Sequence, residues 1–397
     1  MANIDNLESK VKDVLEYHEN NLKDLILSER DLYNDIEEKT VRFFNKGGLN
    51  LILLTGLRGT GKTTILKTLA KKYNGLYSDG NLLKTKDISL ENLTKIVKYY
   101  NKKMVLIDEI LYLKNWQDLL KLEVDSHNKI LFVISGSSAL QLNTLSQDLS
   151  RRIDHYELKP LSFKEFLKIK YKKDIIPMVI DIYRQKSVND IFLDIVNLKT
   201  QYPDEIYSWF EEYVKIQFPF LSEEKNINKK IYDLIEKVIY KDISMIDKLL
   251  AEQLFNIESI IRFLSTNEKT SYNNISKILG IPLDTVIKII GLLEKSDLIY
   301  IVPDIIPTRE LSGKKKILFT APSLRFALNE VNLDAIKGFA KEDMFGLILK
   351  NQGINEFGYN YNQDGYDFLV NQRSFEIGNN KNKVKENIIV IGNFIDI

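Results

Sequence analysis

One octapeptide limits the folds open to this chain more than any other feature. Gly56-Leu57-Arg58-Gly59-Thr60-Gly61-Lys62-Thr63 fits G-x-x-x-x-G-K-[ST] at every position. It follows the apolar run Leu49 to Thr55 and precedes a helical pattern from Ile65 to Tyr73. A short apolar run ending in a glycine loop reads as a buried parallel strand. The glycines let backbone N–H groups turn toward one anion, and the helix that follows adds positive potential at its N-terminus. Lys62 would set a point charge on the β- and γ-phosphates of a nucleotide, and the Thr63 hydroxyl would ligate Mg²⁺. Gly56, Gly59, Thr60, Gly61, Lys62, Thr63 and Thr64 are the expected binding set, with ATP and Mg²⁺ as cofactors.

A second apolar run, Met104 to Ile107, ends in Asp108-Glu109 about 45 residues downstream. At the end of a strand beside a phosphate loop, Asp108 is the expected second Mg²⁺ holder, through water. Glu109 is the expected general base, orienting and deprotonating an attacking water. Ile130 to Ser135 is another strand ending in small polar residues, Gly136-Ser137-Ser138. Ser135 or Ser137 would sense the γ-phosphate or hold the water, or simply supply a turn that needs small residues. Arg152 would neutralise transition-state charge, on a neighbouring subunit's nucleotide, or serve as a surface salt-bridge arginine. With Leu76–Ser78 and Tyr156–Leu158 as further strands between helical stretches, the pattern predicts an α/β fold, a parallel sheet with helices on both faces.

Composition removes whole classes of chemistry. The 397 residues include no cysteine, which excludes disulfides, thiolate zinc sites, iron–sulfur clusters and a cysteine nucleophile. Histidine occurs only as His18, His127 and His155, too scattered for H-E-x-x-H zinc. A net charge of +1 excludes a globally basic nucleic-acid coat and leaves a local basic patch open. The N-terminal segment has neither the basic nor the apolar stretch of a signal peptide, and no apolar run reaches a membrane span. The expectation is a cytoplasmic protein without membrane contact.

The pattern divides the chain into N-terminal helices at 1–45, an ATPase core at 46–175 and a helical linker or lid at 176–256. A compact unit at 257–325 and a tail at 326–397 follow. In 257–325 three helices precede two strands, the order of a winged helix. Its third helix, Leu283–Lys295, offers Thr285, Lys288 and Lys295, while Val286, Ile289, Ile290, Leu292 and Leu293 read as core. Lys314-Lys315-Lys316 lies in the expected wing, placed to touch phosphates or to stand as a solvated turn.

Taken together, these residues resemble the bacterial and archaeal AAA-superfamily ATPases that carry a C-terminal winged-helix and nuclease-like domain of unknown function. Asp108-Glu109-Ile110 with Trp116 is similar to that family's D-E-I…W segment, and Ser135-Gly136-Ser137-Ser138 to its sensor loop. Arg152, eight residues before Pro160, matches its arginine, although the usual preceding glycine is Arg151 here. Leu158-Lys159-Pro160-Leu161-Ser162-Phe163-Lys164-Glu165-Phe166 resembles its L-x-P-L-S-F-x-E-F signature. By its own residues that segment is a helix start, with Ser162 and Glu165 as a capping box. Tyr240-Lys241-Asp242-Ile243, Gly338 and Glu342 also fit the family's pattern. In the tail, Glu342, Asp367 and Phe375-Glu376-Ile377-Gly378 resemble the E…D…E-x-K acids of restriction-endonuclease-like domains, where two carboxylates hold Mg²⁺ and a lysine activates water. Gly378 stands where that lysine belongs, so the resemblance implies a degenerate tail, with Lys381 and Lys383 as the nearest replacements.

The expected activity is hydrolysis of ATP to ADP and phosphate, coupled to a conformational change or to partner binding. The competing expectations are an ATP-gated switch that recruits nucleic acid or protein with little turnover, and an ATP-regulated nuclease. DNA or protein through the winged helix and tail, and a second copy of the chain, are the expected macromolecular partners.

Overall fold

The computed structural model describes residues 2–126, 129–136, 151–173, 200–202, 204–221, 226–244, 251–267, 269–304, 315–329, 333–359, 366–378 and 388–391. Two compact units divide at Leu158/Lys159. The N-terminal helices therefore share a unit with the sheet, and the segment from Pro160 to Tyr171 belongs to the second unit; the sequence pattern alone set 1–45 apart and carried the core to 175.

The first unit opens with helices α1 (Ala2–Leu22) and α2 (Asp31–Lys46). Then come β1 (Leu51–Thr55), α3 (Lys62–Lys72), β2 (Gly75–Asp79), α4 (Gly80–Thr85) and α5 (Leu90–Tyr99). The unit closes with β3 (Met104–Asp108), α6 (Trp116–Ser126), β4 (Leu131–Ser135) and β5 (Ile153–Glu157). The five strands run parallel in the order β2-β3-β4-β1-β5. Every residue of β1, β3 and β4 is buried, as expected of strands covered on both faces. Alternation sorts them. Leu51, Leu53, Val105, Ile107, Phe132 and Ile134 pack with Leu93 of α5 and Leu120 of α6. Ile52, Leu54, Leu106 and Val133 pack on the other side with Ile36 of α2 and Ile65 and Leu69 of α3.

Because the strands are parallel, the carboxyl ends of β1, β3 and β4 lie at one edge of the sheet. That edge receives the glycine loop, Asp108 and Ser135. Arg152 precedes β5, whose first residue Ile153 is in register with Leu51, so it sits at the opposite edge. At ~3.3 Å per residue, five residues put roughly 15 Å of strand between Arg152 and the loop of its own chain.

The second unit begins with α7 (Phe163–Tyr171), capped by the reciprocal Ser162–Glu165 box. Its Phe163 and Phe166 pack against Phe210 and Tyr213 around α8 (Glu205–Tyr213). Helix α9 (Ile227–Lys237) runs into a π-helical turn at Val238–Ile243, over the Tyr240-to-Ile243 motif. Helix α10 (Ala251–Ser265), β6 (Lys269–Thr270), α11 (Tyr272–Leu279), α12 (Leu283–Lys295), β7 (Ile299–Val302) and β8 (Lys315–Phe319) follow. The strands pair antiparallel in the order β6-β8-β7. Val286, Ile289, Ile290, Leu292 and Leu293 of α12 are all buried.

The tail contains α13 (Pro322–Leu328), α14 (Leu333–Asn351), β9 (Phe357–Gly358), β10 (Phe368–Val370), β11 (Arg373–Ile377) and β12 (Ile388–Ile391). The sheet order is β12-β11-β10-β9, with only β11 and β12 parallel among the described pairings. Arg325 and Asp343, both fully buried, fix α13 to α14 through two guanidinium–carboxylate bonds of 2.5 and 2.8 Å. Arg325 also donates to the carbonyls of Leu264 and Ser265 at 3.2 and 2.9 Å. One expectation is corrected here. Lys316 is fully buried, so it is not available to touch phosphates. Its side chain is covered by Glu342, Asp367 and Phe368 of the tail, which pack on that face of β8. Lys314, Lys381 and Lys383 fall outside the described residues. No helix among the described residues is long and apolar enough to cross a membrane.

Candidate nucleotide site

The loop after β1 is built by glycine geometry. Gly56 has φ of 129°, and a Cβ there would run into the Leu158 carbonyl oxygen. Gly61 caps α3 in the left-handed region, with φ of 104°. The Thr60 hydroxyl donates back to the Leu57 carbonyl at 2.9 Å. Lys62 is 6% exposed, and its Nζ donates to the carbonyls of Gly56 and Leu57 at 2.6 and 3.0 Å. The ammonium thus lies within the arc of the loop, beside the N-terminus of α3. Thr64 follows in the first turn of that helix, half-buried.

Asp108, at the end of β3, is 5% exposed and is met by three hydroxyls from three elements. Thr63 Oγ1 donates to Oδ2 at 2.5 Å, Tyr77 Oη donates to Oδ2 at 3.3 Å, and Ser135 Oγ donates to Oδ1. Burial, then the charge of Asp108, pushes the Tyr77 phenol well above its ordinary range, so it stays a donor. Lys67 lies 5.3 Å from the Tyr77 ring centroid, and its pKa is lowered by burial against the opposing pull of Asp108 and Asp79.

Glu109 adopts a left-handed conformation with φ of 51°. Its N–H donates to Ser135 Oγ at 3.1 Å, and Arg58 of the loop stands 3.4 Å from its Oε1. A Cβ at Gly80 would collide with the Glu109 carbonyl oxygen, so glycine is needed where α4 begins. Ser135 therefore touches both acids, bonding the carboxylate of Asp108 and the main chain of Glu109.

The donor set fits Mg²⁺ completed by a nucleotide. The Thr63 hydroxyl and the Asp108 carboxylate converge from the loop and from β3. No group of three or more His, Cys, Asp or Glu among the described residues could hold a metal by itself. Mg²⁺ ordinarily takes one or two protein oxygens and completes its shell with phosphates and water.

Arg152 lies apart from this cluster, ion-paired to Asp125 of α6, with both side chains partly exposed. Ser137 and Ser138 fall outside the described residues. The sequence reading missed three residues. Arg30, 6% exposed, donates from Nη1 to the Thr60 carbonyl, tying the start of α2 to the loop. Tyr77 reaches Asp108 only because β2 pairs with β3. Gly80 matters only because that pairing sets α4 against Glu109.

Residues 49–167 match the family described as "AAA domain", and residues 218–335 match a domain of unknown function. The uncharacterized protein MJ1637 of Methanocaldococcus jannaschii is 28% identical over 363 residues, 85% of this chain and 76% of that protein. A second protein of that organism, MJ1544, is 25% identical over 48% of this chain and 41% of its own length. Among solved structures, the Walker-type ATPase PABY2304 of Pyrococcus abyssi overlaps 76% of this chain and 96% of its own at 14% identity, with a TM-score of 0.46. The Thermotoga maritima RuvB Holliday junction branch migration motor overlaps 70% and 90% at 16% identity, with a TM-score of 0.30. The segment that matches the AAA domain spans the glycine loop, Asp108-Glu109 and all five parallel strands.

Proposed function

We propose that the chain binds ATP with Mg²⁺ at the carboxyl edge of the five-stranded sheet and hydrolyses it to ADP and phosphate. The observation that carries this reading is the direct Thr63–Asp108 contact, with Glu109 as the next residue. Lys62 would exchange the carbonyls of Gly56 and Leu57 for phosphate oxygens. Thr63 and Asp108 would hold Mg²⁺, which supplies charge neutralisation on the phosphates. Glu109 orients a water and takes its proton, after its carboxylate leaves Arg58. Ser135 keeps the two acids in fixed relation.

Turnover and affinity of the wild type and Glu109→Gln test this reading. Multiple-turnover phosphate release in the wild type, lost in Glu109→Gln with ATP-analogue affinity unchanged, supports hydrolysis. Equal release in both removes Glu109 from the base role. A second reading, an ATP-gated switch with little turnover, draws on the Arg58–Glu109 pair, which engages the carboxylate of the base. Affinity without multiple turnover in the wild type would favour the switch.

Arg152 serves a neighbouring copy's nucleotide in this reading, because it sits at the far edge of its own sheet. Specific activity should then rise with protein concentration, and Arg152→Ala should lower turnover with affinity retained. Activity independent of concentration in a monomer would oppose the trans role. The three helices and antiparallel strands of 257–325 are read as a winged helix. With the apolar residues of its third helix buried, it suits a protein contact or nonspecific phosphate contact better than base reading.

A further inference from the structure

The second unit buries an acid cluster that nucleotide chemistry does not use. Glu342 of α14, Asp367 beside β10 and Glu376 of β11 are 7%, 7% and 4% exposed. These are the tail residues that resemble a nuclease's metal-holding acids. A buried carboxylate is costly unless it is paired, and here a cation from the chain itself faces the cluster. The Lys316 ammonium of β8 ion-pairs with Glu342 Oε2 and lies 3.7 Å from Asp367 Oδ1. It donates to the Asp367 main-chain carbonyl at 3.3 Å and stands 4.1 Å from the Phe368 ring centroid. The second carboxylate oxygen, Asp367 Oδ2, accepts the Ile377 N–H at 2.9 Å.

These residues do not fit a metal ion. Glu342 and Asp367 converge on an ammonium, and a divalent ion beside it would meet a like charge in a poorly screened interior. No set of three acids among the described residues is disposed to hold a metal. Gly378, with φ of 133°, offers no side chain in the lysine position, and the lysine beside these acids comes from β8 instead. It is wholly buried, so it cannot meet a DNA phosphate.

We propose that Lys316 is the resident cation of this cluster. It stands in for a divalent ion, neutralises Glu342 and Asp367, and fastens α14 and the β10–β11 hairpin to β8. The tail is then a lysine-locked scaffold that neither binds a catalytic metal nor cuts DNA. This inference does not depend on nucleotide binding.

Mn²⁺ titration of the full chain without nucleotide, followed by electron paramagnetic resonance and by thermal unfolding, tests it. The wild type should show no saturable Mn²⁺ site that Glu342→Gln removes, and its Tm should not respond to Mn²⁺. Lys316→Met leaves Glu342 without its ammonium and Asp367 with only the 3.5 Å contact of the partly exposed Lys269, and Mn²⁺ should raise its Tm by ~5 °C. Lys316→Met with Glu342→Gln and Asp367→Asn removes charge of both signs. It should recover Tm and lose the Mn²⁺ response. A wild-type Mn²⁺ site lost in Glu342→Gln, or metal-dependent DNA cleavage lost in Asp367→Asn, would overturn the proposal. So would a folded Lys316→Met protein indifferent to Mn²⁺. If Lys316→Met does not fold, the triple variant decides: folding supports charge compensation, and failure to fold assigns Lys316 to packing and overturns it.

Discussion

Both units of this protein bury carboxylates beside strand ends, and they differ in what faces those acids. Asp108 is met by three neutral hydroxyls, those of Thr63, Tyr77 and Ser135. Glu342 and Asp367 are met by the ammonium of Lys316. A carboxylate held by hydroxyls keeps its charge available for an incoming cation. One paired with an ammonium has already spent that charge on the fold. Residue type alone does not distinguish the two acid groups, and only the partner does.

The largest expected effect falls on the filled cluster. Lys316→Met should cost ~3–5 kcal/mol of stability, because removing one partner strands buried charge. Chemical denaturation reads this directly, and a loss below ~1 kcal/mol would show that the ammonium does not compensate the acids. In the open site, Lys62→Ala should weaken binding of an ATP analogue by roughly 100-fold, about 3 kcal/mol, by deleting a charge-assisted contact to phosphate. Calorimetric titration measures it, and unchanged affinity would remove Lys62 from the site.

A smaller effect tests the strand that carries Tyr77. His18 Nδ1 accepts the Tyr77 main-chain N–H at 3.1 Å, which requires an unprotonated Nδ1. Burial, aided by the nearby Lys102 ammonium, lowers the His18 pKa to about 4 from the ordinary 6.5. The folded pKa lies below the unfolded one, so the unfolded chain binds more protons as the medium is acidified. The contribution is fully present above pH 6.5 and is lost as pH falls toward 4. Its size is ~1–3 kcal/mol, allowing for solvent screening of a side chain that is not fully enclosed. His18→Gln should flatten the stability profile of the first unit across that window, and an unaltered profile would contradict the assignment.

The sequence exposed the open site far better than the filled one, for a physical reason. The glycine loop and Asp108-Glu109 are punctuation at the ends of apolar runs, so a local reading finds them. Parallel pairing then gathers them at one edge, and the alternating motif order already implies such a sheet. Arg30, Tyr77 and Gly80 join the site through packing and strand order, which leave no local mark. Lys316 is the extreme case. In sequence it belongs to a three-lysine run typical of a solvated turn, and its partners Glu342 and Asp367 lie 26 and 51 residues away. Its burial follows from the packing of Glu342, Asp367 and Phe368 over that face of β8, contacts distant in sequence.

The difference between the two acid groups can be measured in one titration. Mn²⁺ added to the full chain with a non-hydrolysable ATP analogue should bind as a single nucleotide-dependent equivalent. That equivalent should be lost in Asp108→Asn and kept in Asp367→Asn. Binding that survives Asp108→Asn and disappears in Asp367→Asn would contradict the account, because it would place the available carboxylate in the tail and the occupied one beside the phosphate loop.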